Sequence, residues 1–178
     1  MIGNDVIDIK LAAIESNWRR KGYLNKIFHP DEQAQVLNAE NPDLVVWTLW
    51  SMKEAAYKAI GRMTGQKGYF PLKLRCYISS ISNTQITGKV VFGNLNIYTA
   101  TAIVPASIHT IAAAEHLHLD QLNPVPSDTE LIKLNGLPYT IINENVIPVS
   151  VSHHGRFHKV IYQMPSLDLS LRKASAIS

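Results

Sequence analysis

The chain has 178 residues, 46% of them hydrophobic and 17% charged, which excludes a disordered chain and provides for one sizeable core. A net charge of +3 permits an acidic partner without demonstrating one, and the single cysteine, Cys76, excludes an internal disulfide or a multi-cysteine zinc site. The opening Met1-Ile2-Gly3-Asn4-Asp5 puts an acid where a signal peptide needs a basic stretch and an apolar run, and no segment has the length of a membrane span. The expectation is a soluble, cytoplasmic protein without a membrane partner, folded as one domain over 1–178.

In chain order, Ile2 to Ile9 reads as a strand and Leu11 to Tyr23 as a helical stretch carrying the basic cluster Trp18-Arg19-Arg20-Lys21. Pro30-Asp31-Glu32 opens a second helix with Asp31 as its cap. Asn41-Pro42-Asp43 supplies a cap and a first-turn proline for a long helix whose apolar pattern runs from Val45 to Gly61, read as its stop. From Leu72 to about His116 the pattern is β, with Gly93-Asn94 as a two-residue hairpin turn and Asn135-Gly136 as another. Asn123-Pro124-Val125-Pro126-Ser127 reads as a linker, marking an internal boundary near 120–128. The last strands are expected at Val146 to Ser152 and Phe157 to Met164, followed by a frayed tail from Arg172 to Ser178. Helices early and strands late predict an α+β fold with an antiparallel sheet packed against the long helix.

Steps of 100° around the long helix place Val45, Leu49, Met52, Ala56, Ala59 and Ile60 on a core-facing stripe. Glu54 lies nearly opposite, flanked by Trp47, Trp50, Tyr57 and Lys58. Three large aromatics on one face predict that it too is covered, by protein or by ligand. On periodicity alone, Glu54 and Lys58 at i and i+4 read as a helix-stabilising ion pair.

Three separated motifs add chemistry. Ile2-Gly3-Asn4-Asp5, the twelve residues from Trp50-Ser51-Met52-Lys53-Glu54 to Lys58-Ala59-Ile60-Gly61, and Val149-Ser150-Val151-Ser152-His153 resemble the signature motifs of the phosphopantetheinyl transferases. Phe28, Glu32 and Gly136-Leu137-Pro138 add smaller agreements. The resemblance implies the fold of that family and the Mg²⁺-dependent transfer of the 4′-phosphopantetheine arm of coenzyme A to a serine of an apo acyl or peptidyl carrier protein, releasing adenosine 3′,5′-bisphosphate. It implies Asp5 and Glu54 as metal ligands, Glu54 or a water it orients as proton acceptor, and Lys58 as the cation that offsets charge developing on the phosphoryl oxygens. Lys53, Ser152 and His153 become candidate coenzyme A contacts. Arg19 and Arg20 become contacts either to the 3′-phosphate of coenzyme A or to an acidic carrier.

Within that family, the larger type carries a second acid two residues after the first aspartate, where this chain has Ile7. Asp8, three residues on, resembles the small holo-acyl-carrier-protein synthase type; strand alternation turns it away from Asp5 and assigns it a structural hydrogen bond. The order of motifs matches the synthases, which serve fatty acid biosynthesis. The added hairpins between Arg75 and Leu119 resemble the larger type and leave monomer and trimer both open.

His116 and His118 alternate on an expected strand, a spacing open to a metal but without a third ligand nearby. The role of His154 is open. The aromatics that should interleave with basic residues in a nucleic-acid-binding module are not gathered near Trp18, so no nucleic-acid partner is expected. A non-catalytic coenzyme A-binding or carrier-binding homologue is the rival to an enzyme.

Overall fold

A computed structural model describes residues 1–126 and 129–163. The expected frayed tail lies outside the described residues, as do Met164, Ser127 and Asp128.

The strand β1 (Ile2–Asp8) leads directly into α1 (Ile9–Glu15), because Asp8 serves as the N-cap and accepts from the backbone N–H groups of Lys10 and Leu11. The helical stretch expected to reach Tyr23 is broken in two: α1 ends at Ser16, and the short α2 (Tyr23–Ile27) begins after Gly22. In α3 (Pro30–Leu37) the cap is His29 and not Asp31. Glu32 closes a capping box there, with its Oε2 accepting from His29 N at 2.8 Å.

The long helix α4 (Pro42–Thr64) starts as its sequence indicates, with Asn41 Oδ1 accepting from Leu44 N. It does not stop at Gly61. It continues to Gly65, whose N–H donates to Gly61 O at 2.9 Å, and the added turn carries Arg62. Val46, Leu49, Met52, Ala56 and Ile60 are buried against the sheet residues Val90, Ile97 and Ile108, each of the larger side chains contributing roughly 1.5–3 kcal/mol. Val45, expected on this stripe, is only half-buried, whereas Trp47, expected opposite, is buried.

Two five-stranded antiparallel sheets follow. The first adds β2 (Arg75–Ile81), β3 (Gln85–Phe92), β4 (Leu95–Val104) and β5 (Ser107–Ala113) to β1, in the order β1-β5-β4-β3-β2. Its β3–β4 hairpin turns at Gly93-Asn94, with Phe92 opposite Leu95. His116 and His118 are not on a strand but in a 3₁₀ turn, His116–Gln121, where residues two apart lie about 240° round the axis and share no face. His118 instead lies 3.5 Å from Glu115, so the paired-histidine metal reading does not hold.

The second sheet contains β6 (Leu122–Pro124), β7 (Leu131–Leu134), β8 (Leu137–Ile142), β9 (Asn145–His154) and β10 (Phe157–Gln163), in the order β6-β10-β9-β8-β7. Part of the expected linker is thus a strand, since Leu122 to Pro124 pair with β10. The β7–β8 turn has φ of 51° at Asn135 and 79° at Gly136, the left-handed pair that a two-residue hairpin requires.

Between the sheets lies a seam of side chains. As the edge strand of the first sheet, β1 has alternate N–H groups facing away from β5 with no backbone partner. Strand β9 supplies acceptors at the matching period. Asn4 N donates to Ser150 Oγ at 2.8 Å, Val6 N to Ser152 Oγ at 3.0 Å and Asp8 N to His154 Nδ1 at 2.9 Å. All seven β1 residues but none of its motif chemistry are thereby lost to solvent: the strand is buried between α4 and the second sheet.

Candidate active site

Glycine at position 3 lets β1 lie directly on α4. A Cβ there would strike Ala55 O and Ala59 N of the helix backbone. Two residues further along the strand, Asp5 comes to share with Glu54 of α4 a cleft of about 170 Å³, which Ile7, Tyr23, Trp50 and His153 also line. Asp5 is 8% exposed. Its Oδ1 accepts from Ser152 Oγ at 3.0 Å and lies 3.5 Å from Lys58 Nζ, while its Oδ2 is buried and, among the described residues, has no hydrogen-bond partner.

Burial pushes the Asp5 carboxyl above its ordinary range, against the nearby Lys58 charge and the Ser152 hydrogen bond. Glu54 is pushed up to about 7, first by burial and then by the negative charge of Asp5, with Lys58 opposing. A cation between these groups would relieve the terms that raise them. Among the described residues, no three His, Cys, Asp or Glu side chains gather into an all-protein metal cage. Two carboxylates, one with an unpartnered oxygen, fit instead a hard divalent ion that keeps water and takes substrate phosphates as its remaining ligands. Ile7, 5% exposed, adds no third carboxylate.

Asp8 has the structural part expected of it. Besides capping α1 it accepts from Arg156 Nε at 2.7 Å and Nη2 at 2.8 Å, a fork that holds its carboxyl far below the ordinary range. His154, whose role the sequence left open, accepts from Asp8 N and places Nε2 3.4 Å from Glu15.

Lys58 does not pair along its own helix with Glu54. Its Nζ crosses to β1, donating to Asn4 O at 2.8 Å beside Asp5 Oδ1. Three expected coenzyme A contacts have protein partners of their own. Lys53 is fully buried, its Nζ donating to Ile27 O, Glu32 Oε2 and Pro71 O at 2.8–3.0 Å, so it has no path to a nucleotide. The Ser152 hydroxyl, 5% exposed, is engaged by Val6 N and Asp5 Oδ1 and faces the seam, not a ligand. Arg19 forks onto Asp43 through two bonds of 2.9 Å and stacks on Trp18; with Arg20 it lines a separate hollow of about 470 Å³ and not the Asp5–Glu54 cleft. Arg20 lies over the ring of Tyr23, whose other surroundings include that cleft. His153 is exposed and lines the cleft.

Sequence reasoning missed a larger groove of about 570 Å³ on the other side of Lys58. Tyr57, Lys58, Arg62 and Lys67 form one wall, Gly136-Leu137-Pro138 and Val149 to Val151 the other. Arg62 spans it at depth, donating to Pro138 O at 3.0 Å and Val149 O at 2.8 Å. The available signal was its i+4 spacing from Lys58. Groove and cleft meet at Lys58 and Asp5, since Lys58 lines the first and touches the carboxylate that lines the second. The aromatic face of α4 is covered by Tyr69, which packs edge-on against Trp50 at 5.5 Å and Tyr57 at 5.1 Å and whose buried hydroxyl lies beside the Glu54 carboxyl.

The chain is 39% identical over 62 residues to a holo-[acyl-carrier-protein] synthase of Protochlamydia amoebophila (strain UWE25). That match takes in 34% of this chain and 49% of the relative, so the chain spans about half the length of the curated relative it matches. The family model described as the 4′-phosphopantetheinyl transferase superfamily matches residues 1–112, which include β1, α4 and the first sheet with both Asp5 and Glu54. The chain belongs to the 4′-phosphopantetheinyl transferase superfamily.

Proposed function

We propose that this protein is a cytoplasmic enzyme, working as one domain, that transfers the 4′-phosphopantetheine group of coenzyme A to a serine of an apo acyl or peptidyl carrier protein and releases adenosine 3′,5′-bisphosphate. The observation that supports it most is the convergence of Asp5 and Glu54 on one cleft, with Asp5 Oδ2 buried and unpartnered beside a groove bearing Lys58, Arg62 and Lys67. Carboxylates facing each other suit a cation, and basic side chains alongside suit phosphates.

Asp5 and Glu54 would hold Mg²⁺, which when bound supplies charge neutralisation around the attacked β-phosphorus. Glu54, its carboxyl near 7 before a cation arrives, receives the proton of the carrier serine directly or through a water. Lys58, fixed by Asn4 O, stabilises charge that grows on the phosphoryl oxygens and leaving group. A groove of about 570 Å³ lies within the range of about 300–1,000 Å³ common to small-molecule sites and seats the nucleotide end, with exposed His153 as a phosphate contact from the cleft side. Arg20 and Lys21, exposed on the early turns, meet the acidic carrier. Because β9 and the Asp5–Glu54 pair belong to one chain, the metal end of the site is built within a single subunit, and a monomer and a trimer both accommodate it.

The test is incubation with coenzyme A, Mg²⁺ and a panel of apo carriers drawn from fatty-acid, polyketide and peptide synthesis, followed by mass spectrometry. Phosphopantetheine on a carrier serine is the expected result, lost in Asp5→Ala and Glu54→Ala variants that still fold. Coenzyme A binding with no carrier modified by the wild type would overturn the enzyme in favour of a binding homologue.

A further inference from the structure

We propose that Ser152 is a positioning residue that decides which oxygen of Asp5 is offered to the cation, an inference that rests on the metal reading above. A serine hydroxyl has one proton to donate and lone pairs to accept with. At Ser152 the backbone N–H of Val6 occupies the acceptor side at 3.0 Å, which leaves the proton for Asp5 Oδ1, also at 3.0 Å. Lys58 Nζ adds a second, longer approach to the same Oδ1. One carboxylate oxygen is therefore engaged, and the other, Oδ2, is buried without a hydrogen-bond partner among the described residues, the nearby Ser51 hydroxyl donating instead to Asp5 O at 3.4 Å.

The consequence is a fixed carboxylate. Val6 belongs to the same strand as Asp5, so the hydroxyl ties the plane of the carboxyl to the β1–β9 seam and holds Oδ2 in one direction. Hydrogen bonds of this kind to a ligating carboxylate orient it, and their loss typically weakens metal affinity roughly 10–100-fold.

Ser150 provides an internal comparison. It sits two residues earlier on β9, accepts from Asn4 N at 2.8 Å and donates to Asn4 Oδ1 at 2.8 Å, so it joins the same seam without touching a carboxylate. Loss of either hydroxyl removes two hydrogen bonds from the seam, but only one of the two losses frees Asp5.

The experiment counts free Mn²⁺ by electron paramagnetic resonance during titration of the protein in saturating coenzyme A, with thermal melting alongside. Ser152→Ala is expected to weaken Mn²⁺ binding about 10–100-fold and to raise the metal concentration needed for half-maximal transfer, while Ser152→Thr, which keeps the hydroxyl, recovers most of the affinity. Ser150→Ala, a change in the groove wall that leaves the Asp5 carboxylate engaged, is expected to lose clearly less Mn²⁺ affinity than Ser152→Ala. If Ser152→Ala does not fold, Ser152→Cys, with a weak donor of similar size, is read in its place. Wild-type affinity in the Ser152 variant, or an equal loss in Ser150→Ala, overturns the proposal while leaving the metal reading intact. A wild-type protein that takes up no Mn²⁺ overturns the metal reading itself and this inference with it.

Discussion

Lys53 Nζ and Glu32 Oε2 lie 2.8 Å apart with both side chains fully buried. The pair is saturated: Lys53 also donates to Ile27 O and Pro71 O, and Glu32 accepts from His29 N and Cys76 N. It joins α2, α3, the approach to β2 and the turn of α4 that carries Glu54. A saturated pair of this kind specifies geometry, whereas half of it is a buried, uncompensated charge.

Lys53→Ala is accordingly expected to lower unfolding free energy by about 3–5 kcal/mol in denaturant titrations, with transfer lost through the fold and not through coenzyme A contact. The double change Lys53→Met with Glu32→Gln should lose less than Lys53→Ala alone. Equal coenzyme A affinity in whatever fraction of the single variant remains folded is the signature of this structural part.

Arg62 ties the helix to the second sheet through two carbonyls. Hydrogen bonds to a charged group contribute about 1.5–3 kcal/mol, so Arg62→Ala should destabilise by an amount of that order and speed amide exchange along β8 and β9 before it does so in the first sheet. Since the same carbonyls frame the large groove, the KM for coenzyme A should rise more than kcat falls. Both bonds leave one atom, Nη2, so Arg62→Lys, whose ammonium also carries several donors, should recover part of the loss, short of the whole because its stem is shorter and it lacks the planar guanidinium that lies over the Tyr139 ring.

Lys58→Ala should lower kcat by about 10²-fold, with a smaller change in the KM for coenzyme A, as expected where a group acts on charge that develops during reaction. The charge of Lys58 also holds the Asp5 carboxyl down against the effect of its burial. Its removal therefore raises Asp5 further, and the acid limb of the pH–rate profile should move to higher pH.

His109 packs beside Asn4, and its imidazole is lowered to about 4 by burial, with the charges of Lys159 and Lys58 acting in the same direction. Between pH 4 and 6.5 the unfolded chain then binds a proton that the native protein does not, so stability falls with decreasing pH over that window. The contribution is fully present above pH 6.5 and lost as pH drops through 4, amounting to at most about 3.5 kcal/mol at about 1.4 kcal/mol per pH unit. Denaturant titrations of wild type and His109→Gln at pH 7 and pH 4.5 check it: the variant should lose less stability on acidification.

Much of this protein is legible along the chain. Asn41-Pro42 starts α4, Gly93-Asn94 and Asn135-Gly136 turn hairpins, and Asp5, Glu54, Lys58 and His153 stand in motifs whose residue types suit pyrophosphate chemistry. These features are local, because a cap, a left-handed turn or a helical period depends on residues within a few positions of one another. The glycine of the first motif is visible along the chain, but its reason, the close approach to Ala55 and Ala59, is not local.

Tertiary structure decided what each polar side chain is used for. The resemblance made Lys53 a candidate coenzyme A contact, but the depth at which α2, α3 and the residues before β2 close over it depends on packing between distant segments. Ser152 next to His153 looked like a ligand contact until β9 was laid along β1, where a separation of 147 residues in sequence becomes 3.0 Å between Ser152 Oγ and Asp5 Oδ1. A hydroxyl's partner is set by direction and distance at short range, and only the folded seam supplies both.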